Sequence, residues 1–150
     1  MRRNDLQMHD FILDANILIS MMISGKSAYK PFLAYFNFYT PEYSLGEISK
    51  YQDVIFEKSR LKPDELRQYI MMVFEQISVV PKLVLTSQSI QKAIELSEGI
   101  DQKDAGYLAL SFQVDTVLLT RDKPLYHGVR AKGFRKILLF DDFLKKAYSF

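Results

Sequence analysis

The sequence predicts an α/β fold, a three-layer α/β/α sandwich around a central parallel sheet of about five strands. Five short apolar runs recur along the chain without polar–apolar alternation, the pattern of strands covered on both faces. The stretches between them carry apolar residues at helical spacing, and strands alternating with helices close into a parallel sheet with right-handed crossovers. The length of 150 residues suits one core, so residues 1–150 read as a single domain, with 1–8 expected to be a flexible N-terminal extension.

The first strand is Phe11-Ile12-Leu13, followed by a helix from about Ile17. Aromatic residues Tyr29, Phe32, Tyr35, Phe36, Phe38, Tyr39 and Tyr43 crowd the next stretch, and their spacing suits a core helix and a strand over Asn37–Thr40. Pro41 then opens a helix at its first turn, with Leu45, Ile48, Tyr51 and Ile55 on one stripe. Lys62-Pro63-Asp64-Glu65 starts another, carried by Leu66, Ile70, Val73, Phe74 and Ile77. Its Met71-Met72-Val73-Phe74 run is apolar around too much of the helix for one buried stripe, so a subunit interface, as in a homodimer, is expected there. Ser78-Val79-Val80 reads as the third strand. A helix from Ser87 ends near Gly99, and one from Asp101 runs through Ala105, Leu108, Ala109 and Phe112. Thr116–Leu119 and Lys136–Phe140 supply the last two strands, with short helices over Pro124–Lys132 and Asp142–Tyr148.

Composition narrows the chemistry. There is no cysteine, and the histidines are His9 and His127 alone. Disulfides, thiolate zinc sites, Cys nucleophiles, iron–sulfur clusters and tris-histidine zinc are therefore excluded. A metal held by this chain takes nearly all its ligands from oxygen, which favours Mg²⁺ or Mn²⁺. The N-terminal Met-Arg-Arg-Asn-Asp-Leu-Gln lacks the apolar region of a signal peptide, and no apolar run approaches the roughly 20 residues of a membrane span. A cytoplasmic protein is expected.

Ligands of open parallel sheets bind beyond the carboxyl ends of the strands. Asp14 directly follows the first strand and Asp122 closely follows the fourth, while Asp104 lies in the first turn of the helix leading into the fourth. Glu47 lies about one turn into the helix after the second strand. Each has an ordinary alternative. Asp14 or Asn16 caps a helix, Asp101 with Asp104 forms a variant capping box, Asp122 is a turn residue before Lys123-Pro124, and Glu47 extends from a half-buried face. Folding by itself gives no reason for four acids at one sheet edge, where they repel each other unless cations neutralise them.

The ordered set Phe11-Ile12-Leu13-Asp14-Ala15-Asn16, Thr40-Pro41 with Glu47, Asp101-x-x-Asp104-Ala105-Gly106-Tyr107, and Leu118-Leu119-Thr120-Arg121-Asp122 resembles the PIN-domain nucleases, over about residues 9 to 145. The resemblance implies Mg²⁺- or Mn²⁺-dependent cleavage of RNA, as in VapC-type toxins and related archaeal and bacterial proteins, with a small antitoxin as the partner of a toxin. It implies that Asp14, Glu47, Asp104 and Asp122 are the catalytic, metal-holding acids. Asn16 and Thr120 match the supporting polar positions, and Asp101 an additional acid one turn before the third. Two positions depart from the family pattern: Arg121 replaces a small or polar residue, and Asn16 stands where Ser or Thr is more usual.

The net charge is only +2, yet Arg121, Lys123, Arg130, Lys132, Arg135 and Lys136 surround the single acid Asp122, a local +5 beside the acidic edge. Such a run supplies phosphate contacts to RNA or is simply a solvated face. Two other functions remain open. A haloacid-dehalogenase-like phosphohydrolase also begins with a strand ending in Asp, but its second Asp is Asn16 here. A non-catalytic module would hold RNA or a protein on the basic face. His127 reads as a surface or capping residue.

Overall fold

Five strands form one parallel sheet in the order β3-β2-β1-β4-β5: β1 (Asp10–Leu13), β2 (Asn37–Pro41), β3 (Ile77–Val80), β4 (Val117–Thr120) and β5 (Ile137–Leu139). The computed structural model describes residues 10–147; the expected N-terminal extension, with His9, lies outside them. Leaving β1, the chain builds β2 and β3 on one side, then crosses back to place β4 on the other. The order therefore reverses between β1 and β4, where Leu13 pairs with Leu119. A crevice opens beyond the strand ends at such a reversal.

The unalternating runs are explained by two apolar layers. Phe11, Leu13, Phe38 and Leu119 enter one core with Ile17, Leu18 and Met21 of α1 (Ala15–Ser24). Phe32 and Leu33 of α2 (Tyr29–Tyr35), Val73 of α5 (Pro63–Glu75), and Phe140 and Phe143 of α9 (Phe140–Ala147) complete it. Ile12, Leu118 and Ile137 face the opposite way. They meet Ala93 of α6 (Ser87–Ser97), Leu108 and Leu110 of α7 (Ala105–Val114), and Leu125 and Val129 of α8 (Lys123–Ala131). The aromatic run from Tyr29 is largely packing: Phe32 lies 5.1 Å from Phe38 and Phe36 lies 5.3 Å from Phe143, ring to ring.

Some expectations need correction. Pro41 does not open a helix; it ends β2, paired with Val80. The single helix expected after it is two, α3 (Tyr43–Lys50) and α4 (Gln52–Lys58), because Tyr51 between them has ψ 13 instead of a helical value. That bend breaks the expected stripe: Ile55 is buried, Ile48 half-buried, and Leu45 and Tyr51 are exposed. Phe140 leaves the sheet and starts α9, so that helix begins before Asp142. Along α5, Met72 and Phe74 are half-buried while Met71 is 66% exposed. Among the described residues no helix is long and apolar enough to cross a membrane.

Candidate functional site

Asp14 leaves β1 at the sheet reversal and caps α1. Its Oδ1 accepts a hydrogen bond from the Ile17 N–H at 2.9 Å, as a cap should. Its Oδ2 accepts one from Thr120 Oγ1 at 3.1 Å, across the junction of β1 and β4. Thr120, fully buried at the end of β4, also accepts from the Asp122 N–H at 3.1 Å. One hydroxyl thus ties the first acid to the backbone of the last. Asp122 in turn caps α8, its Oδ1 accepting from the Leu125 N–H at 3.0 Å.

Asp104 ends a 3₁₀ turn (Gln102–Asp104) and stands at the head of α7. The capping-box alternative does not apply there. Asp101 Oδ1 accepts from the Lys103 N–H at 3.0 Å, and Asp104 makes no side-chain cap bond. Asp104 Oδ2 is instead the buried side-chain polar atom without a hydrogen-bond partner among the described residues. A buried carboxylate oxygen left this way is costly to the fold.

Glu47 on α3 approaches from the β2 side. Its Oε1 accepts from Tyr43 Oη at 3.0 Å and Lys50 Nζ at 3.2 Å. Asp14, Asn16, Glu47, Asp101, Asp104 and Asp122 all line one cavity of about 180 Å³, with Tyr43, Lys103 and Tyr107 among its other walls. They share the cavity without closing on a point: among the described residues, no three acidic or imidazole side chains stand close enough to clasp an ion.

Crowding and burial set the electrostatics. Burial raises the Asp14 carboxyl to about 6 against the hydrogen bonds from Ile17 and Thr120, and the charge of Asp122 adds to the rise. Asp104 is raised to about 7, by burial first and then by the charges of Asp122, Asp101 and Asp14. Glu47 goes the other way, held low by the Tyr43 and Lys50 hydrogen bonds. An all-oxygen donor set, an unpartnered buried carboxylate oxygen and mutually repelling acids fit a hard divalent cation.

Several polar residues of the site were not singled out from the sequence. Tyr107 Oη accepts from the Ala15 N–H at 3.1 Å, and Thr40 donates to the Leu13 carbonyl at 2.9 Å, with Ser44 Oγ beside it at 2.9 Å. These bonds hold the β1–α1 junction from both sides. Helical spacing carried a signal for the tyrosines: Tyr43 lies four residues before Glu47 and Tyr107 three after Asp104.

The basic run divides. Arg121 donates to Ser20 Oγ at 2.7 Å and reaches Asp141 at 3.5 Å, and it is not part of the acidic cavity wall. Lys132 donates to the carbonyls of Leu96 and Glu98 at the end of α6, and Lys136 bonds Asp115, which holds a left-handed backbone at φ 53. Arg130 lies over the Tyr126 ring at 5.2 Å. Lys123 and Arg135 are exposed, as is His127, whose ring meets Tyr126.

Residues 12–140 match a family model described as the PIN domain. Among solved structures, the crystal structure of PAE2754 from Pyrobaculum aerophilum superposes with a TM-score of 0.65 at 12% identity, over 95% of this chain and 92% of that one. No curated protein matches the sequence. At that identity the structural likeness concerns the fold alone.

Proposed function

The chain belongs to the PIN-domain family, a nuclease-type fold, and from that premise we propose that it is a metal-dependent endoribonuclease. The observation that carries this reading is the convergence of Asp14, Glu47, Asp104 and Asp122 on one cavity at the sheet reversal, with Asp104 Oδ2 buried and unpartnered. Asp14 and Asp122 would hold Mg²⁺ or Mn²⁺, with Asp104 joining through a bridging water and Glu47 as an orienting group. The cation supplies a Lewis acid that polarises the phosphodiester and lowers the pKa of a water.

The chain's own residues supply positioning. Thr120 and the Ile17 N–H fix both oxygens of Asp14, so its carboxylate cannot rotate away from the crevice. The Leu125 N–H does the same for one oxygen of Asp122. Glu47, kept ionised by Tyr43 and Lys50, accepts a hydrogen bond from an incoming water and aims it, a role that suits a low pKa better than proton abstraction does. Lys123, exposed next to Asp122, contacts backbone phosphates, and Arg121, Arg130, Lys132, Lys136 and Arg135, the last before β5 at the opposite ends of the strands, contribute to the long-range basic field.

The finer role proposed is the cytoplasmic toxin of a toxin–antitoxin pair, with a small antitoxin as partner. Exposed Met71 supports a homodimer through α5, so Met71→Lys should shift sedimentation from dimer to monomer. The phosphohydrolase alternative is disfavoured because the position of its second acid is Asn16. The decisive experiment is cleavage of single-stranded RNA in Mn²⁺ or Mg²⁺. EDTA should stop it, and Asp14→Asn or Asp122→Asn should lower the rate at least about a hundred-fold, within the range of losing a group that acts in the transition state. Full activity in both variants would overturn the reading; tight RNA binding with no turnover in any metal would favour the binding module.

A further inference from the structure

A second and larger cavity, about 590 Å³, adjoins the acidic one and shares Tyr43 and Lys103 with it as common walls. Its sides are mostly apolar, formed by Pro41 and Val80 at the ends of β2 and β3 and by Leu85 and Leu110, with Glu42 and Lys82 also lining it. That volume lies within the range of small-molecule sites, about 300–1,000 Å³. The remaining wall is unusual for helices. Gly46 sits within α3 and Gly106 near the start of α7, and a Cβ built on either meets nothing within 4 Å.

Neither glycine has the left-handed backbone that would require one, since among the described residues the positive-φ glycines are Gly25, Gly99 and Gly133. A helix interior disfavours glycine, because it exposes backbone and gives up more conformational freedom than any other residue. No packing contact asks for them either. What the two glycines do is leave room: larger side chains there would fill the cavity.

We propose that this cavity receives one unpaired base of the nucleic-acid strand, the base flanking the phosphate that enters the acidic cavity. The geometry fits a nucleotide in particular. A nucleotide joins a flat apolar ring to a phosphate through one sugar, and here an apolar cavity adjoins a carboxylate cavity through one aromatic and one cation. Tyr43 offers the base a ring to pack on, and its own position is fixed by the bond to Glu47 and by the Tyr107 ring 6.1 Å away. Lys103 at the shared edge is placed for the connecting phosphate. A single-stranded or locally unpaired strand is thereby favoured, since drawing a base out of a duplex carries the cost of unpairing and unstacking it. The base's place beside a scissile phosphate rests on the nuclease reading; occupancy of the cavity by a base does not.

The test is a titration of the full chain with adenosine, guanosine, cytidine and uridine 5′-monophosphates, with ribose 5-phosphate as the baseless control, followed by amide NMR in EDTA and in Mg²⁺. At least one nucleotide should bind about ten-fold or more tightly than ribose 5-phosphate, the scale of one base–aromatic stack. Gly46, Gly106 and Leu110 should shift with it. Gly106→Leu should abolish the preference while thermal melting shows the fold retained, and Gly46→Leu serves as the second filling variant. Equal binding of nucleotides and ribose 5-phosphate would overturn the proposal, as would shifts at these residues from N-acetyl-leucinamide but not from nucleotides, which would assign the cavity to a protein partner. RNA cleavage in Mn²⁺ by the same wild-type sample separates the two readings. Cleavage without a base preference removes only the base site, and a base preference without cleavage removes only the nuclease.

Discussion

Asp104 carries the largest unrelieved electrostatic cost among the acids of the cavity. Its carboxyl is raised to about 7 and that of Asp14 to about 6, both above the ordinary 3.8 that they regain on unfolding. Between pH 4 and 7 the folded chain therefore binds more protons than the unfolded one, and stability falls as pH rises through that window. Above pH 7 the whole penalty is present. Asp104→Asn removes much of it, so in EDTA at pH 8 the variant should be more stable than wild type by roughly 1–2 kcal/mol after allowance for solvent screening, a few degrees in Tm. At pH 4 the two should melt together. Melting curves at the two pH values check this, and a variant less stable at pH 8 would show that Asp104 has a structural role. Such a carboxylate suits a site whose acids are to be neutralised by something bound.

Cations of one run serve different helices. Lys132 closes the end of α6 through the Leu96 and Glu98 carbonyls, where a cation also meets the negative end of the helix dipole. Lys132→Ala should therefore lower stability by about 1 kcal/mol, and its effect on RNA affinity should be small. Lys123→Ala should do the reverse, leaving Tm unchanged. It should reduce the slope of log affinity against log salt by about 0.7, the share of one contact to single-stranded phosphate. Equilibrium binding at several salt concentrations, beside melting curves, separates the two classes. The loop and helices after β2 make a similar point. Tyr51 breaks what reads as one helix, and the break leaves Leu45 and Tyr51 exposed while Glu47 reaches the cavity.

At the scale of the molecule, the sheet reversal concentrates like charge in one crevice, so a cation held there as proposed would couple its binding to folding. On the proposed reading Mn²⁺ would bind the folded crevice and not the dispersed acids of the unfolded chain, and at a hundred times its Kd it would add about 2.7 kcal/mol of stability. Added Mn²⁺ should raise Tm by several degrees at pH 8 and by much less at pH 5, where protons compete for Asp14 and Asp104. EDTA should reverse the rise. An Asp14→Asn Asp122→Asn double variant should show none, which calorimetry with and without metal reads directly.

The sequence by itself determined the layers. A strand buried on both faces must be apolar at every position, and Phe11-Ile12-Leu13 and Val117-Leu118-Leu119 report that directly. It also narrowed which ions such a chain could hold, since without cysteine and with only two histidines nearly all its ligands must be oxygen. The four acids were legible because the carboxyl ends of strands are the places where a parallel sheet leaves its crevice. Only the tertiary structure decided how those acids are held. The Thr120 bond to Asp14 spans 106 positions of sequence and the Tyr107 bond to Ala15 spans 92, distances over which no local pattern carries information. It also separated Lys132, spent on a helix end, from Lys123 in the same run, because charge is a property of composition and a partner is a property of the fold. The large cavity was hidden for the same reason: Gly46 and Gly106 are sixty residues apart, and only packing α3 near α7 turns two missing side chains into one space.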